Sequence, residues 1–314
     1  MPSTHKPRSG SLQYWPRKRA KRIYPRLNNS KKILSDKPIH SFAGYKAGMM
    51  SIHLKNSNPN SPGKNVTFSC PATVIECPPI KILGLRFYSI SDHHPTPSSF
   101  ISSSKLDKNL KRKLSLPKKQ NTAKDIPKTF DQVRIVVYTQ PSLTGIGKKK
   151  PEIFEISCNE RDPEKLKAYL DSEIKLKNVL QRGEIVNVSA VTKGKGLHGP
   201  VRRFGISLKA KKSEKKKRSP GNLGAWTPEK VSHTVPQPGQ KGFHTRIDQN
   251  KHVLAVGEPK NNPTPKGGFK NYGIVKNDYL VLKGSVPGPA KRLIMITPSQ
   301  REPRTKDAYE VVAR

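Results

Sequence analysis

The chain has 314 residues, with 61 Lys and Arg against 22 Asp and Glu, a formal net charge of +39 and a pI near 10.3. Such an excess repels itself in a compact body and is tolerable mainly against a polyanion, either nucleic acid or an anionic membrane surface. Leu, Ile, Val and Phe supply 71 residues, little above the ~20% at which disorder takes over, and no run approaches the ~18 uninterrupted apolar residues of a membrane span.

The length allows one large domain or two ordinary ones. The opening stretch MPSTHKPRSG has no apolar core, so no signal peptide is expected. Residues 1–32 hold ten Lys/Arg and no acid, with Tyr14, Trp15 and Tyr24 set among the cations. Interleaved aromatics can stack on bases while Arg contacts phosphate, which argues for an arm ordered by RNA over a solvated tail. HSFAGYKAGMMSIHLK (40–55) reads as a strand, a Gly turn and a second strand, and SNPNSPGKN as a loop. PATVIEC (71–77) and IKILGLRFYSI (80–90) read as strands split by Pro78-Pro79. The Ser/Pro/His-rich residues 91–105 read as loop. Leu106, Leu110 and Leu114 recur every fourth position and predict a basic helix over 105–116.

QVRIVVYT (132–139) predicts a buried strand and EIFEIS (152–157) a short one. Asp162-Pro163-Glu164 predicts a capped helix start, with Leu166, Tyr169, Leu170 and Ile174 on one face. EIVNVSAVTKG (184–194) alternates as a half-buried strand. Residues 193–230 form a second basic block with twelve Lys/Arg and two Glu. Short strands resume with VSHTV, HVLAVG, YGIVKNDYLVLKG and AKRLIMITP. Short strands joined by Gly/Pro turns, with helices segregated between them, predict an α+β chain, mainly β, built on a β-barrel.

Residues 191–251 carry most of the functional signal. Cations are spaced along a chain that Gly and Pro keep from regular structure, and each one meeting a phosphate releases condensed counterions. Phe204, Trp226, Phe243 and His244 offer flat faces for stacking. An anionic membrane surface would call for an amphipathic basic helix with aromatic anchors, whereas these basic segments hold Pro, Gly and Ser.

Catalytic readings fail on spacing. GKGLHG and GIGKKK lack the phosphate-cradling pattern, and His198, His233, His244 and His252 form no metal-binding unit. Cys70, Cys77 and Cys158 fit neither a zinc knuckle nor a disulfide framework and read as reduced cytosolic thiols. An RNA-cleaving or RNA-modifying enzyme, the alternative from another class, needs a base, metal or cofactor loop that is not legible. No cofactor, metal, small-molecule substrate or membrane partner is expected.

The stretches SLQYWPRKRAKR, FAGYKAGM, ATVIECPP, YTQPSLTGIGKKKPE, AVTKGKGLHGPVRRFGI, LGAWTP, TVPQPGQKGFHTR and NPTPKGGFKNYGIVKNDYLVLKGSVPGPAKRLI resemble, in order, the large-subunit ribosomal protein family numbered three, in its archaeal/eukaryotic form. The resemblance implies a translation-protein-type barrel with inserted α/β elements and two long basic extensions penetrating rRNA toward the peptidyl-transferase centre. It implies binding to the 3′-terminal domain of large-subunit rRNA early in assembly, contacts with neighbouring ribosomal proteins, and a cytoplasmic location in the ribosome. On this reading residues 1–38 are the N-terminal extension, 39–192 barrel strands with inserted elements, 193–230 the central extension, 231–298 the rest of the barrel and 299–314 a tail.

The rRNA contacts expected in the first extension are Tyr14, Trp15, Arg17, Lys18, Arg19, Lys21 and Arg22. Lys46 is also an expected rRNA contact. In the central extension they are Lys193, Lys195, His198, Arg202, Arg203, Phe204, Lys211, Lys212, Arg218 and Trp226, with Arg202, Arg203 and Arg218 as phosphate clamps and Trp226 at the tip. Gln240, Lys241, His244 and Arg246 belong to the return segment 239–246, and Lys251 is a further expected contact. Eukaryotic members carry a modifiable histidine before the tip; residues 211–221 hold none, so no such methylation is expected. The stretch 301–314 lies outside the resemblance, and residues 91–104 are more Ser/His-rich than the family leads one to expect.

Overall fold

Strands form where β-branched and apolar residues run together, and a computed structural model of the protein describes them over residues 10–27, 37–92, 94–116, 126–127, 129–213, 215–227, 229–299 and 309–313. Chain order is β1 (Phe42–Asn56), β2 (Thr67–Glu76), β3 (Ile80–Ser91), β4 (His94–Ser102), β5 (Gln132–Tyr138) and β6 (Ile153–Cys158), then α1 (Pro163–Leu170), β7 (Glu173–Ile174) and α2 (Leu176–Val179). There follow β8 (Ile185–Val191), β9 (Gly196–His198), α3 (Pro200–Phe204), β10 (Gly239–Lys241), β11 (Thr245–Gly257), β12 (Tyr279–Lys283), β13 (Leu293–Pro298) and β14 (Tyr309–Ala313). The chain is mainly β, with few and short helices. No helix among the described residues is long and apolar enough to cross a membrane.

Two compact units divide the chain, one of residues 24–190 and 246–314 and the other of residues 1–23 and 191–245. The larger unit holds two sheets. In the first, the order is β13-β8-β11-β12-β2-β1-β14, and β13 also pairs with β1. Six strands therefore close a ring, and β14 lies outside it as a third partner of β1. The second sheet runs β4-β3-β5-β6, with β7 on the start of β3. One hydrophobic cluster draws on both sheets, including Phe42, Ile75, Phe87, Ile135 and Ile296. A smaller cluster of Leu83, Leu110, Val136 and Tyr138 lies under the 105–116 segment.

Several elements differ from the sequence expectation. Residues 42–56 form one strand with no Gly turn. Gly48 sits at a register shift, and a Cβ there would lie 2.5 Å from the Phe269 ring, so the missing side chain makes room for packing. Residues 94–102 form β4, against the predicted loop; as an edge strand it needs hydrogen bonds on one side only, which accommodates Pro95 and Pro97. The predicted 105–116 helix is a 3-10 turn at Lys108–Arg112, because Leu110 is buried while Leu114 stays exposed. Helix α1 stops at Leu170, leaving Ile174 in β7, and Asp162 pairs with Lys165 at 2.8 Å instead of capping the helix. VSHTV forms no strand, and the unpredicted β14 does.

YGIVKNDYLVLKG contributes only β12, because one buried carboxylate captures the residues before it. Glu76, at the end of β2, accepts hydrogen bonds from the backbone N–H groups of Lys276 (2.8 Å) and Asn277 (3.0 Å) and from Asn277 Nδ2 (2.7 Å). The Tyr272 hydroxyl also donates to it. Burial first, then the adjacent carboxylate, pushes the Tyr272 phenol well above its ordinary range. Leaving several buried donors without an acceptor costs about 3 kcal/mol. Glu76→Ala is therefore expected to lower the unfolding free energy of the purified chain by that amount in urea titrations, and a loss under about 1 kcal/mol would contradict the assignment.

Candidate nucleic-acid interface

The smaller unit carries twenty Lys/Arg against Glu214 and Glu229. It cannot neutralise itself from within. Among the described residues its regular structure is the β9–β10 ribbon, pairing Gly196 with Lys241 and His198 with Gly239, together with α3 and the end residues of β8 and β11. Between residues 206 and 238 no strand or helix occurs among the described residues.

Pro200 opens α3 at its first turn, and Gly205 closes it in the left-handed region at φ +72°, its N–H donating to Val201 O. This short helix presents Phe204, which is only 6% exposed. Trp15 stacks on Phe204 with ring centres 5.6 Å apart and planes 9° from parallel. The guanidinium groups of Arg17 and Arg203 lie 4.6 and 5.0 Å from the same ring. Arg203 Nε donates to Gln240 O (3.1 Å), Nη1 to Gln237 O (2.9 Å) and Nη2 to Arg17 O (3.1 Å). One planar side chain thus ties three chain segments together. Burial, then the neighbouring Arg17, lowers its pKa.

A second set of ties secures the N-terminal segment. Ala20 N donates to Phe243 O at 2.9 Å, and His244 Nδ1 lies 3.1 Å from Lys18 O. His244 N donates to Thr192 Oγ1 at 3.1 Å, and Gln240 Nε2 to Gly242 O at 3.0 Å. Gly242 has φ +73°, and a Cβ there would fall 2.1 Å from Lys193 O. Only glycine permits that approach.

Beyond this root, many of the expected contact residues are exposed. Tyr14, Lys18, Arg19, Lys21 and Arg22 are exposed, as are Lys193, Lys195, Arg202, Lys211, Lys212 and Arg218. Lys241 is half-buried and donates to Arg202 O; burial lowers its pKa, and Lys195, Arg202 and Arg17 add repulsion. His198 is half-buried in β9. Trp226 is 86% exposed beside an open hollow of about 480 Å³. Such a surface can meet phosphates with its cations and stack a base on its flat side chain.

The remaining three lie in the larger unit. Lys46 donates to Val286 O (2.6 Å) and Gly288 O (3.0 Å), and burial lowers its pKa. Lys251 pairs with Asp248 at 2.9 Å, and Arg246 is half-buried in β11. Sequence reasoning identified the cations but missed that Trp15, Phe204 and Arg203 serve one another. Trp15 is far from the adjacent pair Arg203-Phe204 in the sequence, and no periodicity or spacing links it to them.

Replacing the Arg203 fork by a single ammonium, in Arg203→Lys, removes most of these carbonyl contacts and costs on the order of 2 kcal/mol. The expected outcome is tryptic cleavage at Lys18 and Arg19 of the purified chain faster by about tenfold or more. Cleavage at the unaltered rate would show that Arg203 does not hold the segment.

The sequence model of the family described as Ribosomal protein L3 matches residues 1–314, including the 301–314 stretch that lay outside the sequence resemblance. The chain is 41% identical over 304 residues to the large ribosomal subunit protein uL3 of Methanocaldococcus jannaschii, covering 93% of this chain and 90% of that one. It is 40% identical over 320 residues to uL3 of Methanothrix harundinacea, covering 98% and 95% of the two chains. With uL3 of Archaeoglobus fulgidus the identity is 42% over 310 residues, covering 96% and 93%. A match over every residue, with relatives this similar along nearly their whole lengths, means that the chain belongs to the ribosomal protein L3 family.

Proposed function

We propose that the chain is a structural constituent of the large ribosomal subunit, binding large-subunit rRNA in its 3′-terminal domain early in assembly. Its residence is then the cytoplasmic ribosome, among neighbouring ribosomal proteins. The observation that carries this reading is the separation of charge: residues 1–23 and 191–245 hold twenty cations against two glutamates. Their excess charge is stable against a dense array of phosphates and self-repelling without one.

On this reading the six-strand ring in the larger unit is the translation-protein-type barrel, and residues 1–38 and 193–230 are the two extensions. Lys18, Arg19, Lys21, Arg22, Arg202, Lys211, Lys212 and Arg218 contact phosphate, and Trp226 stacks on or wedges between bases near the peptidyl-transferase region. Arg203 contributes from behind, by fixing the backbone from which its neighbours reach. Most arm contacts position the protein on a folded RNA and carry no base sequence.

Two measurements test this. The chain should sediment with the large subunit at one copy each and remain there after a high-salt wash, whereas an enzyme would be substoichiometric. In the purified chain, residues 1–32 and 205–222 should be cleaved first by protease, and intact subunits should protect them. Equal protection in both states would overturn the arm assignment.

A further inference from the structure

The β3–β4 hairpin breaks the charge pattern of the whole molecule. Residues 87–104 are the longest stretch of the sequence without Lys or Arg, eighteen residues whose one formal charge is Asp92. They fall on the part of the fold whose Ser, Pro and His content the rRNA-binding reading does not use.

The register shows what this hairpin presents. Arg86 pairs with Phe100, Tyr88 with Pro97 and Ile90 with Pro95, which puts these side chains on one face. Phe87, between them, points to the core. Ile90 is 49% and Phe100 37% exposed, and both prolines are exposed. Towards β5 the same face continues through Arg134, Val136 and Tyr138. The 105–116 segment covers its far end, packing Leu106 and Leu110 on Val136 and Tyr138.

The two arginines bordering the open half are already engaged. Arg86 lies 2.5 Å and Arg134 3.4 Å from the Glu155 carboxylate, which also accepts the Tyr88 hydroxyl at 2.9 Å. Arg86 packs against Phe100 and Arg134 against Tyr88. A phosphate brought here would meet compensated cations, an aspartate and apolar side chains. An uncharged protein surface would meet a complementary one. Pro95 and Pro97 have no N–H, so the β4 edge is a poor template for an added strand, and contact is through the face.

We propose that the outer face of the β3–β4 hairpin is a protein-docking surface, seating the uncharged, partly apolar surface of a neighbouring protein of the large subunit. This rests on the placement in the large subunit proposed above, and the test separates the two. A photoreactive benzoylphenylalanine replaces Ile90, Phe100 or, as the RNA-facing arm of the experiment, Lys212 in the full chain. Large subunits carrying each variant are irradiated, and the adducts are treated with ribonuclease or protease.

The expected result is a discrete polypeptide adduct from positions 90 and 100 that survives ribonuclease, and an RNA adduct from position 212. An RNA adduct at the hairpin, or none, overturns the docking inference, while RNA at position 212 leaves the ribosomal reading standing. A chain that never enters subunits overturns both. In a second arm, the double variant Ile90→Lys and Pro95→Lys adds cations at exposed positions. It should cut the polypeptide adduct from position 100 at least fivefold. A firmer hold on RNA through the salt wash would instead identify a phosphate partner and sink the proposal.

Discussion

Self-repulsion is the constraint to which the rest of this molecule answers. Opposite charges are close enough to offset it locally in the larger unit, where Lys37 meets Glu184, Lys81 meets Asp107 and Arg86 meets Glu155. In the smaller unit two glutamates face twenty cations. Hydrophobic burial does not redress the balance there, since the unit's aromatic centre is little more than Phe204 and the rings and guanidinium groups around it. The unit is organised by cations donating to backbone carbonyls and lying on aromatic faces, two uses of positive charge that require no carboxylate.

Strands were legible where composition and geometry agreed. β5 and β13 are near-continuous β-branched and apolar runs, and their burial follows from that. The failures share a physical cause, which is that neighbours override local preference. β4 looks like loop because prolines and serines are poor strand formers, yet β3 supplies a pairing edge along its whole length. Residues 272–278 look like strand, but a carboxylate delivered by β2 takes the N–H groups of Lys276 and Asn277. Leu106, Leu110 and Leu114 have helical spacing without a surface long enough to bury all three.

The concentration of charge in the smaller unit was legible in the sequence, and the division of labour among its cations was not. Charge and aromatic content marked residues 1–32 and 191–251, and most of the cations expected to contact rRNA are exposed. What composition could not reveal is which cations face outward. Arg202 and Arg203 are adjacent and chemically identical, yet Arg202 is exposed while the guanidinium of Arg203 is spent on three carbonyls. That difference arises from the helical turn of α3, which points consecutive residues about 100° apart.

The position of Arg203 also bears on how a long cationic segment finds its place. Because it fastens residues 17, 237 and 240 to one point, both ends of the stretch that follows α3 are pinned to a common base. A loop anchored at both ends explores far less space than a tail of equal length, and the entropy lost on docking falls accordingly. Under the proposed placement in the ribosome, that stretch meets RNA with both of its ends already fixed.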